Sequence, residues 1–293
     1  YAEFYNCSMK TSLLTIKILA IFLLTSMDIL GQDESGISIT KKMFAKTAAI
    51  NTLTCNLTKH ERIDGKMIKQ ISFNKIEMDP FRVYLKQLYP KEGMEVLYRD
   101  GVNNNKALIN PNGFPWINLN LNPLENTMRK NQHHTILESG FDHVISILIF
   151  LTEKYKSEID KIVTYNGMVE YDNTVCHSIS LISPYFEYID YTIKENETII
   201  EIASRFKLSE HMILEKNSKV KDYDDVEPGQ VIQIPNEYSP KMLVYIDTVD
   251  MLPVRMDVYD DQGLYEKYEY SQIVINPKLS PEEFSEDYAE YGF

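Results

Sequence analysis

The alternation of apolar and polar residues predicts a chain built largely from β-strands. Residues 53–62 and 67–78 alternate in this way and flank an Asp64-Gly65 pair, which is typical of a tight hairpin turn. Similar stretches recur along the chain, at 82–88, 94–98, 107–110, 162–171, 175–183, 242–247, 254–259 and 264–270. Long strands that follow one another in this manner indicate an antiparallel sheet.

Helical spacing of apolar residues marks two substantial segments. One spans 39–53 and the other spans 141–155, and in each the apolar residues recur on one side, including Phe44 in the first and Leu148 in the second. A Ser-Pro-Glu-Glu capping box at 280–283 predicts a short terminal helix. The combination predicts an α+β fold, an open antiparallel β half-barrel covered by helices.

The pattern changes in residues 190–235, where two short strands flank two short helices. Thr198 and Glu201 form a capping box that predicts the start of the first helix, and Ser209 caps the second. This βααβ unit resembles a LysM domain, the bacterial glycan-binding module. The matching residues are Tyr191, Glu197-Thr198, Ile202-Ala203, Ile213, Asn217, Gly229-Gln230 and Ile234-Pro235. The segment departs from the family at Asn196, where glycine is usual, although asparagine tolerates a left-handed conformation.

The LysM-like unit is predicted to be an insertion. Its terminal strands would pair antiparallel, which places its ends about 5 Å apart, so a host chain can leave and return at nearly one point. The residues on both sides are strand-rich, and neither side carries a flexible Gly/Ser linker. We therefore predict a discontinuous host domain formed by residues 32–189 and 236–293.

The resemblance to LysM implies contact with polymers that contain N-acetylglucosamine, and hence with peptidoglycan. In the family, the groove lies between the loop after the first strand and the loop before the second. The corresponding residues are Lys194, Glu195, Asn196, Glu197, Lys219, Val220, Lys221, Asp222 and Tyr223. Asparagine and backbone amides suit acetamido groups, and Tyr223 is expected to cover an apolar sugar face. The alternative is that the unit only supports its host domain.

The host domain resembles the lipoprotein-carrier-like superfamily of periplasmic lipoprotein localisation factors (LolA/LolB-like), and within it a bacterial family of exported proteins of unknown function. The likeness is carried by EMDPFRVYLKQ from Glu77, EVLYRDG from Glu95, ALINPNGFPW from Ala107, MRKNQHHTILESGFD from Met128 and LYEKYEYSQIVINPKLS from Leu264. The carrier fold implies an apolar cavity for acyl chains, with a helix as its gate.

The first residues have the order of a secretory signal peptide. Counted from Met9, which we interpret as the true start, a basic stretch with Lys10 and Lys17 precedes an apolar run over 18–24 and a small, polar end. Cleavage is expected after Gly31, so residues 1–31 form the signal peptide. A membrane anchor is the alternative. Removal of the segment predicts a periplasmic protein without a stable transmembrane anchor.

Composition narrows the function classes. The chain has 293 residues, of which 44% are hydrophobic, and its net charge of −13 argues against a nucleic-acid partner or an anionic membrane surface. After signal cleavage two cysteines remain, Cys55 and Cys176. In an oxidising compartment they form either a disulfide or two buried thiols, because spacing alone does not show that their Cα atoms approach.

The residues that most suggest chemistry are His133, His134, Glu138 and His143. On one continuous helix His134 and Glu138 would share a face, as metal ligands often do. However, Ser139 and Gly140 predict that a helix begins after Glu138, and the chain has no HExxH motif or nucleophile elbow. We expect these imidazoles to hydrogen-bond irregular backbone near the barrel mouth, with no catalytic residue, metal or cofactor.

Three function classes follow from the sequence. The leading interpretation is a non-catalytic exported envelope protein that contacts peptidoglycan and holds a lipid or lipoprotein acyl chain in the half-barrel. The second is a structural envelope protein with a filled barrel, in which only glycan contact matters. The third is a metal-assisted hydrolase that uses the histidine cluster.

Overall fold

The computed structural model describes residues 35–293, and the predicted signal peptide lies outside this range. In the described range no helix combines the length and apolar character needed to cross a bilayer. The strands are β1 Thr52–Ile63, β2 Lys66–Met78, β3 Phe81–Tyr89, β4 Glu95–Arg99, β5 Ala107–Asn110, β6 Leu119–Leu121, β7 Val163–Tyr171, β8 Thr174–Ile182, β9 Tyr188–Thr192, β10 Val231–Pro235, β11 Lys241–Asp247, β12 Pro253–Asp260 and β13 Gly263–Ile275.

Six α-helices and four 3₁₀ turns connect the strands of the described chain. The α-helices are α1 Gly36–Ala48, α2 Asn126–Arg129, α3 Asp142–Lys154, α4 Ile159–Ile162, α5 Ile199–Phe206 and α6 Glu210–Lys216. The 3₁₀ turns are Asn103–Asn105, Ile136–Glu138, Lys156–Glu158 and Pro281–Phe284. Helix α1 ends five residues earlier than its apolar spacing predicted, and Leu53 instead lies in β1.

Eleven strands form one antiparallel sheet in the order β6-β5-β4-β3-β2-β1-β13-β12-β11-β8-β7. The edge strands β6 and β7 do not pair with each other, so the sheet is open. Neighbours in the chain are mostly neighbours in the sheet, as expected for a meander, and β1 is joined to β13 from the far end of the sequence. The predicted open antiparallel half-barrel is confirmed.

Helices α1 and α3 cover the sheet and build the main core. Helix α1 contacts α3, β7 and β8, and its apolar side includes the fully buried Ile39. Helix α3 buries Leu148 completely. Both residues belong to one apolar cluster that continues across the sheet through Leu53, Ile179 and Val244. The helical cover expected from the 3.6-residue spacing is thus packed on the sheet in one continuous apolar core.

The segment predicted as βααβ forms a second, separate core. Strands β9 and β10 pair only with each other, with Thr192 opposite Val231 and Tyr188 opposite Pro235. The Thr198 capping box is formed, because its hydroxyl accepts a hydrogen bond from the Glu201 amide while the Glu201 side chain bonds back. The unit's own apolar cluster contains Ile193, Ile199, Ile202, Ile213, Val220, Tyr223, Ile232 and Ile234.

The two remaining cysteines are both buried free thiols. Cys55 lies on β1 and Cys176 lies on β8, with β13, β12 and β11 between them in the sheet. Adjacent strands are about 4.8 Å apart, and a disulfide needs Cα atoms within about 7 Å. The disulfide interpretation is therefore wrong. Burial raises the pKa of Cys55 to about 12 and that of Cys176 to about 11, which suppresses thiolate chemistry.

We predict that Leu148→Ala lowers the free energy of unfolding by about 2–5 kcal/mol, because it leaves a cavity between α3 and the sheet. The matched control is Phe150→Ala on the same helix, where the side chain is 37% exposed and its loss is expected to cost much less. Urea unfolding followed by circular dichroism measures both. Equal losses in the two variants would contradict the packing described for α3.

Candidate functional site

The two loops predicted to form the glycan groove differ in exposure along their length. Lys194, Glu195 and Asn196 are exposed in the first loop, and Lys219 and Lys221 are exposed in the second. Asn196 adopts a left-handed conformation with φ 56°, as expected where the family has glycine. Together these five residues form an accessible rim, which we call the groove rim.

Glu197, which follows the exposed residues of the first loop, is buried and has a structural role. Its carboxylate accepts hydrogen bonds from the Tyr191 hydroxyl at 2.9 Å and the Lys194 amide at 3.1 Å, and it pairs with Arg205 at 2.6 Å. Burial by itself would raise the pKa of Glu197, but these donors lower it below its usual value. The carboxylate therefore fixes the shape of the first loop.

We expected Tyr223 to cover an apolar sugar face, but its ring is not accessible to a sugar. Only 6% of it is exposed, and the Arg129 guanidinium lies 3.6 Å from its ring centre. Arg129 also pairs with Glu210 at the start of α6, and Asn126 bonds to Asp222. Helix α2 of the host domain thus packs against the second loop and covers the apolar face of Tyr223. Val220 is buried as well, within the core of the LysM-like unit.

Aromatic and polar contacts extend this seam between the LysM-like unit and the sheet. The His133 ring stacks on His211 with centroids 4.6 Å apart and on Tyr265 at 4.1 Å. The Ser209 hydroxyl lies 2.9 Å from the Tyr265 hydroxyl. These contacts hold the first turns of α6 directly against β13, which gives the unit a defined seat on the host domain.

A buried carboxylate network underlies the seam. Glu266 is 1% exposed, and its oxygens accept hydrogen bonds from His133 Nδ1 at 2.8 Å, the Tyr238 hydroxyl at 2.8 Å and the Tyr268 hydroxyl at 3.1 Å. Tyr268 also donates to Glu61 at 2.8 Å. Burial alone would raise the pKa of Glu266, but the facing imidazoles hold it well below its usual value.

The histidine cluster lies beside this network. His134 Nδ1 is 3.2 Å from Glu138 Oε2, and His143 Nδ1 is 3.6 Å from Glu138 Oε1. Burial alone would lower the pKa of His134, but Glu266 and Glu138 outweigh burial and raise it to about 10. Burial lowers the pKa of His143 to about 4. A helix does begin after Glu138, at Asp142, so the two residues share no helix face: Glu138 ends a 3₁₀ turn, and His134 precedes the Thr135 cap of that turn.

Our expectation that these imidazoles bond to irregular backbone is wrong, and only His133 has a backbone partner. His133 Nε2 lies 3.0 Å from the Arg62 carbonyl oxygen, which belongs to a regular strand. His134 and His143 instead face the carboxylate of Glu138, and His134 Nε2 faces the Tyr238 hydroxyl at 3.1 Å. The four predicted residues therefore do come together, although their partners are mostly side chains.

Glu266, Glu61, Tyr238 and Tyr268 were missed by sequence reasoning. The one available signal is on β13, where the alternation of LYEKYEYS places a glutamate in line with buried tyrosines. Its partners His133 and Tyr238 are 133 and 28 positions away in the chain, so no local spacing indicates them.

Comparison with known proteins assigns the two parts of the chain. A family model described as a protein of unknown function (DUF1571) matches residues 50–199, just over half of the chain. The chain belongs to this family. The LysM domain model matches residues 191–235, which are the two strands and two helices of the second core. A search of curated protein sequences finds no match for this DUF1571 chain.

Solved structures give weaker similarity. The LolA superfamily protein from Nitrosomonas europaea is 10% identical, with a TM-score of 0.33 over 87% of this chain and 100% of that one. The lipoprotein LppX of Mycobacterium tuberculosis is 12% identical, with a TM-score of 0.38 over 83% and 97%. A DUF1329 family protein from Desulfovibrio piger is 8% identical, with a TM-score of 0.34 over 86% and 96%. Similarity at this level gives no information about ligands.

We predict that His211 makes the protein acid-sensitive. Burial lowers its pKa to about 3, and His133 and Arg129 act in the same direction while Glu61 and Glu266 oppose them. The unfolded chain takes up this proton below about pH 6.5. The stability due to neutral His211 is therefore fully present above that pH and is lost as pH falls towards 3.

The variant His211→Gln tests this, because glutamine has no such titration. Between about pH 7.5 and about pH 4.5, its urea midpoint is expected to fall less than that of the parent protein. Parallel declines in the two proteins would contradict the assignment, whatever the offset between their midpoints.

Proposed function

We propose that the protein is an exported, non-catalytic component of the bacterial envelope that binds peptidoglycan glycan through its LysM domain. The single observation that supports this is the groove rim, whose five residues stay exposed in a domain of a glycan-binding family although the host packs against Asp222 and Tyr223 of the second loop. Backbone amides of the first loop and the Asn196 amide are suited to acetamido groups, which both donate and accept hydrogen bonds.

The bound glycan would lie along the rim, away from the seam. Tyr223 is covered by Arg129, so we assign sugar contact to Lys194, Asn196 and Lys221, whose side chains are accessible. The host domain would then present the LysM domain at a fixed orientation, through the contacts of Arg129 and Tyr265. On this proposal the protein resides in the periplasm and associates with the cell wall.

We expect the double variant Lys194→Ala/Lys221→Ala to weaken binding to purified peptidoglycan roughly thirtyfold, since each of the two lost hydrogen bonds costs about 1 kcal/mol. The matched control is Lys156→Ala/Lys161→Ala, which removes the same charge from exposed positions of the host domain. Sedimentation with insoluble peptidoglycan measures the bound fraction. If the rim variant binds as well as the control, the rim is not the glycan site.

We propose as a second function that the half-barrel accepts an apolar ligand when its helical cover moves. The apolar surface through which α1 and α3 contact the sheet supports this. No disulfide joins these helices to the sheet in the described residues, because both cysteines are free. A cavity between α3, β8 and β11, lined by Leu151, Ile162, Leu181 and Met242 among others, has a volume of about 10 Å³. That is room for one water molecule, so an acyl chain would require α3 to shift.

Binding of a fluorescent fatty acid, together with mass spectrometry of lipids extracted from the purified protein, tests this second function. We expect saturable probe binding that unlabelled fatty acid reverses, and a weaker affinity in Leu151→Trp, which fills the cavity. Absence of both probe binding and co-purified lipid would contradict it and would favour the structural role with a filled barrel. The glycan result stands independently of this outcome.

A further inference from the structure

His134, Glu138 and His143 bring three metal-binding groups together at one point beside the seam. One ligand atom from each lies within 4.8 Å of the others. The side chains are 17%, 22% and 27% exposed, so the cluster is reachable from solvent without unfolding. The residues belong to a short turn and to the first turn of α3, and the proposed glycan and apolar sites do not use them.

Two of the three spacings are close to those of ligands around one ion. Zinc ligands lie about 2.0–2.1 Å from the ion, which places them roughly 3.3–3.4 Å from one another in a tetrahedron. His134 Nδ1 is 3.2 Å from Glu138 Oε2, and His143 Nδ1 is 3.6 Å from Glu138 Oε1. The two imidazoles thus face different oxygens of one carboxylate, so an ion among the three groups would bind both oxygens or require the carboxylate to turn.

The outer contacts of His134 suit a metal ligand. Its Nε2 lies 3.1 Å from the Tyr238 hydroxyl, and that hydroxyl donates onward to Glu266 at 2.8 Å. Nε2 donates a proton to Tyr238, and Nδ1 faces the Glu138 carboxylate, to which it donates a second proton when no metal ion is bound. Two electron-rich groups facing each other at 3.2 Å require a cation between them or a second proton on the ring. Metal-bound histidines commonly have such an outer hydrogen-bonded chain that ends on a carboxylate.

His143 adds an independent observation. Its Nε2 is buried and has no hydrogen-bond partner, so the polar group that the ring can use is Nδ1, which faces Glu138. An imidazole with one nitrogen buried and unpartnered, and the other 3.6 Å from its nearest acceptor, gains little as a structural hydrogen-bonding group. As a ligand, the same ring would make a strong bond through Nδ1.

A second grouping, Glu61 with His134 and Glu266, has less capacity for an ion. Glu61 already accepts from Tyr268 and pairs with Lys59 at 3.3 Å. Glu266 accepts from His133 and two tyrosines. The donors to Glu266 would have to be displaced before a metal could bind at this second grouping. Glu61 and Glu266 are therefore outer contacts of the grouping formed by His134, Glu138 and His143.

We propose that His134, Glu138 and His143 form a binding site for a divalent transition-metal ion of the zinc class, with water in the fourth position. Imidazole nitrogen with one carboxylate oxygen is a donor set that suits Zn²⁺ and Co²⁺ better than Ca²⁺ or Mg²⁺. The ion would tie residues 134–138 to α3, next to the segment that carries His133 against the LysM domain. This assigns the cluster a binding role and no reaction.

Equilibrium dialysis of the purified protein, prepared without a polyhistidine tag, against Zn²⁺ or Co²⁺ tests the proposal. We expect one equivalent of bound metal by atomic emission, with a Co²⁺ absorption spectrum of four-coordinate type and a raised Tm. His143→Ala and Glu138→Gln are expected to weaken binding roughly tenfold or more and to lose the Tm increase.

The matched control is His60→Ala, which removes an imidazole from β1, outside the cluster, and is expected to leave binding unchanged. His143 is partly exposed, so its replacement should leave the fold intact, and circular dichroism checks this. The proposal is overturned if the parent protein binds neither ion stoichiometrically, or if folded His143→Ala and Glu138→Gln bind as tightly as His60→Ala.

Discussion

The buried carboxylate of Glu266 is the constraint on which the organisation of this protein depends. Taking an ionised carboxylate out of water costs several kcal/mol unless donors replace the lost hydration. Here the donors come from three separated parts of the chain: His133 before α3, Tyr238 on the return from the LysM domain, and Tyr268 on the same strand. The need to satisfy one charge therefore fixes the connection that returns from the LysM domain, through Tyr238, and the segment before α3, through His133.

This arrangement decides which side of the LysM domain remains accessible. The Glu266 network supports His133, whose ring meets His211, and Arg129 lies a few residues earlier on the same segment and covers Tyr223. One side of the domain is thus occupied by the sheet and by α2. Attachment to the host therefore takes up the Asp222–Tyr223 end of the second loop, and the groove rim is the part of the predicted groove that stays exposed.

The sequence was sufficient for the features that local physics determines. Strand alternation gave the antiparallel sheet, the Thr198–Glu201 box gave the start of α5, and the loop residue Asn196 has the left-handed conformation inferred for it. Features that depend on distant partners were not accessible. The burial of Tyr223 depends on Arg129, and the separation of Cys55 from Cys176 depends on the strand order, for which no spacing rule exists.

The place of the insertion has a mechanical consequence. Strands β8 and β11 pair directly, with Ile182 opposite Lys241, and just beyond them the Ser183 amide donates to the Pro240 carbonyl at 2.9 Å. Residues 183–240 are therefore an enlarged hairpin loop of the main sheet. Tension applied to the LysM domain would reach that sheet through this hairpin and through the seam contacts of Arg129, His133 and Tyr265. The LysM domain could then unfold and refold while the eleven-stranded sheet keeps its register, and its unfolding would lengthen the connection.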